Sequence, residues 1–172
     1  MTRFFDCLPV ILNYEGGYVD HPNDHGGATN QGITQRVYTG WRTDRGLVDQ
    51  SVSRIASNEV TAIYQANYWN PCGAGLCPAP LDLVVFDCAV NSGVGRAVRM
   101  LQRVLDIDAD GLIGPVTKNT IMSCNPKATA KALIEARRTF YRGIVSAHPE
   151  QSKFLAGWLN RMAALETEVA NA

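Results

Sequence analysis

Three side chains near the N-terminus have the types and spacing of an acid-catalysed hydrolytic site: Glu15, Asp24 and Thr29. Glu15 ends a segment that reads as a helix with one apolar face. Its carboxylate therefore meets the negative end of the helix dipole close to the core, and both effects disfavour the charged form and raise the pKa. A carboxylic acid that stays protonated near neutral pH is the proton donor that glycosidic bond cleavage requires. Asp24 stands in a polar, glycine-rich stretch where it is expected to stay ionised, and the Thr29 hydroxyl, with Asn30 and Gln31 beside it, can orient a water. A protonated Glu, an ionised Asp and a water-holding hydroxyl are the parts of an inverting glycosidase. The residues alone leave a plainer alternative open, with Glu15 a solvated helix-end acid and Asp24 a turn residue.

Candidate sugar-contacting residues are Tyr18, Gln31, Trp69 and Asn91. Flat aromatic rings suit sugar faces, although rings at helical spacing more often fill a core, which is the reading for Tyr64. Asn91, beside Gly93, can turn its amide into a cleft or simply cap a helix. His21, Asp24 and His25 could offer a metal three ligands, yet histidines in a polar loop are usually solvated, so no metal and no cofactor are expected. Five cysteines, an odd number, argue against a full disulfide framework. Cys72 and Cys77 could close a small clip around Gly73–Leu76, with two free thiols as the plainer reading.

These residues need elements to hold them. Phe4, Phe5, Leu8, Ile11 and Leu12 share a face and predict a helix over 4–15, ended by Gly16-Gly17. From Tyr18 to Thr34 the chain turns polar and rich in glycine and asparagine, which predicts turns and short strands. Val60, Ile63, Tyr64, Asn67 and Tyr68 predict one helical face that stops at Pro71. Residues 81–91 are apolar almost all round and predict a buried central helix. Val94 to Leu105, a short helix opened by Gly114-Pro115, and two longer helices over 126–145 and 149–169 follow. The expected fold is mainly α, a helical bundle around that central helix with a small irregular β segment near the N-terminus.

The chain has 172 residues with 16 basic and 16 acidic side chains. Zero formal charge gives no electrostatic footprint for nucleic acid, although residues 71–172 lean slightly basic, a weak hint of an anionic polymer partner. No apolar run approaches the roughly 20 residues of a membrane span, and Met1–Asp6 lacks the features of a secretory signal. The expectation is a monomer made in the cytoplasm that reaches its substrate through a membrane hole, such as a holin provides, or a dedicated exporter.

Glu15-Gly16-Gly17-Tyr18, followed by Asp24-x-Gly26-Gly27-Ala28-Thr29-Asn30-x-Gly32-Ile33-Thr34, resembles the signature of glycoside hydrolase family 108, the N-acetylmuramidases of phage endolysins and some secretion systems. Tyr64-x3-Tyr68-Trp69 and Phe86-Asp87-x-Ala89-Val90-Asn91-x-Gly93 are similar to its downstream blocks. Leu101-Gln102 through Asp110-Gly111-x-Ile113-Gly114-Pro115-x-Thr117 resembles the peptidoglycan-binding segment that accompanies it. The resemblance implies a lysozyme-like unit over 1–172, with catalytic signatures in 4–70 and a helical wall-binding region in 71–170. It implies hydrolysis of the β-1,4 bond between N-acetylmuramic acid and N-acetylglucosamine, with Glu15 as the catalytic acid. The Glu–Asp–Thr spacing also resembles, one residue shorter at the second gap, the triad of small phage lysozymes. A lytic transglycosylase and a wall-binding module without activity are the rival readings.

Overall fold

The structure is a computed structural model that describes residues 3–20 and 27–172. It is mainly α and lysozyme-like, with eight α-helices among the described residues and one two-stranded antiparallel sheet. The chain divides into two compact units, residues 1–67 and 68–172.

In the first unit α1 spans Arg3–Glu15 and buries Phe4, Cys7, Leu8 and Ile11. Phe5, expected on that face, is half exposed, and Cys7 takes its place. Pro9 is inside the helix, and Gly16 ends it with φ +72°, a conformation that glycine adopts without Cβ strain. Strands β1 (Thr29–Asn30) and β2 (Ile33–Thr34) form a tight hairpin in which Thr29 pairs with Thr34 and Asn30 with Ile33. Its two turn residues, Gln31 (φ +48°) and Gly32 (φ +74°), both take positive φ, as a two-residue type I′ hairpin requires.

Helix α2 (Gln35–Thr43) has no apolar stripe to announce it in the sequence; only Tyr38 is fully buried. Local chemistry starts it, because the Thr34 hydroxyl caps the Val37 amide at 3.3 Å. A polar cluster then holds it to α3 (Ser57–Tyr64). The Tyr38 hydroxyl donates to Glu59 at 2.6 Å, and Arg42 donates to both Glu59 and the Tyr38 oxygen, at 2.6 and 2.9 Å. Glu59 also accepts from the Ala56 amide at 3.0 Å, closing the start of α3. Burial works to raise the Glu59 carboxyl, but that amide, the Tyr38 hydroxyl and Arg42 outweigh it and hold the group below its ordinary range.

After Tyr64 the helix widens into a π turn over Gln65–Trp69. The extra residue per turn shifts the register, so the single helical face expected to carry Asn67 and Tyr68 inward fails. Asn67 is exposed, Tyr68 is half-buried, and Trp69 is the ring that goes inside.

The second unit is built on α4 (Leu81–Ser92), with every residue from Leu81 to Ala89 buried. Around it pack α5 (Val94–Val104) and α7 (Pro126–Ala147), while α8 (Ser152–Asn171) packs along α7. The short α6 (Pro115–Ser123) has proline at its first turn, as expected. Asp87 on α4 is fully buried, and two arginines neutralise it: Arg137 of α7 at 2.6 Å and Arg161 of α8 at 2.8 Å. Cys72 and Cys77 are free, buried thiols near 3₁₀ residues 74–76; burial pushes the Cys72 thiol up to about 12.

Candidate active site

Glu15 is the last residue of α1 and is half-buried. Its carboxylate lies against the hairpin turn. A methyl carbon added to Gly32 would sit 2.9 Å from Glu15 Oε2 and 2.6 Å from the Tyr64 hydroxyl oxygen. The Tyr64 hydroxyl donates to the Gln31 carbonyl at 2.7 Å, across 33 residues of chain. One acid and one buried phenol, from α1 and α3, therefore converge on a turn that only glycine can complete.

The rest of the hairpin is fixed by backbone bonds. Thr29 and Val19 exchange two hydrogen bonds, at 2.8 and 2.9 Å, so the segment that carries Asp24 leaves and returns at one pinned point. The Thr29 hydroxyl faces its own loop, 3.4 Å from the Gly27 carbonyl. Asn30 donates to the Val52 carbonyl at 3.1 Å, and Gln35 clamps the same stretch through Gln50 O at 2.8 Å and the Val52 amide at 2.6 Å. Asp24, like His21 and His25, lies outside the described residues.

Of the expected sugar contacts, Gln31 is at the turn itself, its backbone already engaged by Tyr64. Tyr18 is 48% exposed, with its hydroxyl donating to Asp20 at 3.2 Å. Trp69 is 6% exposed and meets Phe86 edge-on at 5.2 Å between centroids. It also borders, with Gly73, Gly75, Leu76, Ile113 and Lys118, a depression of about 410 Å³. Asn91 is exposed, and its Oδ1 accepts from the Tyr141 hydroxyl at 2.6 Å. The segment likened to a wall-binding region is knit by Gln102, which binds Asp110, Thr117, the Leu112 carbonyl and the Gly111 amide.

The chain matches the family described as Glycosyl hydrolase 108 over residues 8–93, and the "Predicted Peptidoglycan domain" over residues 96–163. A solved structure, that of SagA from Brucella abortus, matches it with a TM-score of 0.81 and 34% sequence identity, covering 98% of this chain and 94% of that one. The chain belongs to glycosyl hydrolase family 108. Among curated protein sequences none matches it. This family 108 enzyme is a glycoside hydrolase directed at peptidoglycan.

Sequence reasoning missed two residues that surround the Glu15 carboxylate. Tyr64 reads as core and is buried, at 1% exposure, yet its polar tip reaches the acid's surroundings. Gly32 reads as one of several loop glycines. The signal that could have found it is its place after Gln31 in a two-residue turn, where both residues must adopt positive φ.

Proposed function

We propose that this enzyme is an N-acetylmuramidase that cleaves the β-1,4 bond between N-acetylmuramic acid and N-acetylglucosamine with inversion. Glu15, in its protonated form, gives its proton to the glycosidic oxygen as the bond to the anomeric carbon breaks. A water held by Asp24 and Thr29 attacks that carbon from the opposite face, and Asp24 takes the proton the water loses. Each cycle consumes one water and leaves a reducing end. The observation that carries this reading is the seating of the Glu15 carboxylate against Gly32. The hairpin turn beside the Glu15 carboxylate also carries Thr29 in its first strand, which supports a role for Thr29 next to the acid.

Its polymer substrate lies outside the cytoplasmic membrane, and the enzyme acts there once a membrane lesion or an exporter lets it through. No described helix is long and apolar enough to cross a membrane by itself. Mass spectrometry of digested sacculi tests the reaction. Reducing-end muropeptides are the expected products; anhydro-muropeptides mean transglycosylation, and no released material means a binding module.

A further inference from the structure

The geometry points to an anion site in the second unit that takes a free carboxylate of the peptide stems on peptidoglycan. This inference rests on the peptidoglycan reading above and adds a specific recognition pocket to it. A depression of about 350 Å³ opens where α4 passes into α5, lined by Ser92, Gly93, Gly95, Arg96, Arg99 and Arg103.

Elsewhere in this unit Arg137 and Arg161 are neutralised by Asp87, and Arg138 by Glu135 and Glu166. Among the described residues, the three arginines of the depression form no ion pair with any carboxylate. Asp110 feels the charge of Arg99, but its Oδ1 is taken by the Leu112 amide at 2.8 Å and Gln102 at 2.7 Å.

The site is also preformed. A methyl carbon on Gly111 would lie 3.0 Å from Arg99 Cζ, and one on Gly95 would lie 3.2 Å from Arg99 Nη1. Two glycines thus let the guanidinium lie flat against backbone, and its Nη1 donates to the Gly95 carbonyl at 3.3 Å. Arg96 is held over the Phe140 ring at 4.8 Å. Guanidinium groups fixed by packing and left without a counter-ion are suited to a planar carboxylate, which they can grip with paired hydrogen bonds. Where a stem is attached, the lactyl carboxyl of muramic acid is tied up in the amide that holds it, so the free carboxylates are those of the stems.

The test is co-sedimentation of the whole chain, carrying Glu15→Gln to halt digestion, with intact sacculi and with sacculi whose free stem carboxylates have been capped as methylamides by carbodiimide coupling to methylamine. Binding to intact sacculi is expected to exceed binding to capped sacculi at least fivefold. Arg99→Ala/Arg103→Ala should erase that difference. Arg142→Ala/Lys153→Ala, which removes two positive charges elsewhere in the same unit, should keep it. Arg103→Ala alone and Arg99→Lys, with folding checked by thermal unfolding, serve if the double variant is unstable. Equal binding to both sacculi, an unaffected double variant, or equal loss in the charge-matched control would each overturn the site. Failure to release muropeptides by the unaltered enzyme would instead overturn the muramidase reading.

Discussion

Glu15 Oε2 lies 2.9 Å from the point where a Cβ of residue 32 would stand, so the acid occupies the space that Gly32 leaves empty. The Glu15 carboxylate and the hairpin turn are fitted to each other, and the fit is enforced twice. Gly32 holds φ +74°, and the Tyr64 hydroxyl lies 2.6 Å from the same point.

Gly32→Ala should therefore damage both folding and turnover. The left-handed conformation costs a non-glycine residue roughly 1–2 kcal/mol, and the new methyl must push away both Glu15 and Tyr64. Urea unfolding should show a loss of at least that size, and sacculus hydrolysis should fall by about 10² or more, as expected when a reacting group is misplaced by an ångström.

Glu15→Gln keeps the shape and removes the proton. Activity should fall by about 10² or more while the unfolding midpoint stays near that of the unaltered enzyme. Near-normal turnover in the folded variant would remove Glu15 from the chemistry.

Tyr64→Phe deletes the hydroxyl that donates to Gln31 O but keeps the buried ring. The cost in stability should be about 0.5–1.5 kcal/mol. If the phenol also holds the turn against the acid, kcat should fall with little change in KM, measured on a defined glycan oligomer.

The contrast between Tyr64 and α4 shows what the sequence made legible. An apolar run such as Leu83-Val84-Val85-Phe86 states its own burial, and α4 is buried where the pattern puts it. The Glu15-Gly16-Gly17 stop of α1 is equally local. Pairings such as Tyr64 with Gln31 or Tyr141 with Asn91 join residues 33 and 50 positions apart and leave no periodic trace. Helix α2 escaped notice because a hydroxyl cap and an Arg42–Glu59 pair hold it rather than an apolar stripe. The π turn after Tyr64 defeated a strict 3.6-residue count.

Acid should weaken the first unit through Glu59. Its folded-state pKa lies below its ordinary value of 4.5, so its contribution is fully present above that value and is lost as pH falls through the folded-state pKa. The unfolding midpoint should drop on acidification below about pH 4.5, and Glu59→Gln should flatten that part of the profile. An unchanged slope in the variant would show that other carboxyls carry the acid sensitivity.

The stereochemical outcome tests the division of roles between Glu15, Asp24 and Thr29. Inverting enzymes keep their two carboxyls roughly 6.5–9.5 Å apart to admit a water, while retaining enzymes bring them to about 5–5.5 Å for direct attack. Eight residues separate Glu15 from Asp24, and Asp24 falls within the segment whose ends, Val19 and Thr29, are hydrogen-bonded to each other. That length is enough to stand the aspartate off the acid with a water between. A hydroxyl at Thr29 can donate to or accept from this water without adding charge. Asp24→Ala should then cost less than Glu15→Gln, because a water oriented by Thr29 still attacks an oxocarbenium-like centre slowly, and Asp24→Ala/Thr29→Val should cost more than Asp24→Ala alone. NMR of the first-formed product from a defined oligomer should show the α-anomer before mutarotation. The β-anomer first would mean retention, and would make Asp24 a nucleophile or exclude it from the reaction.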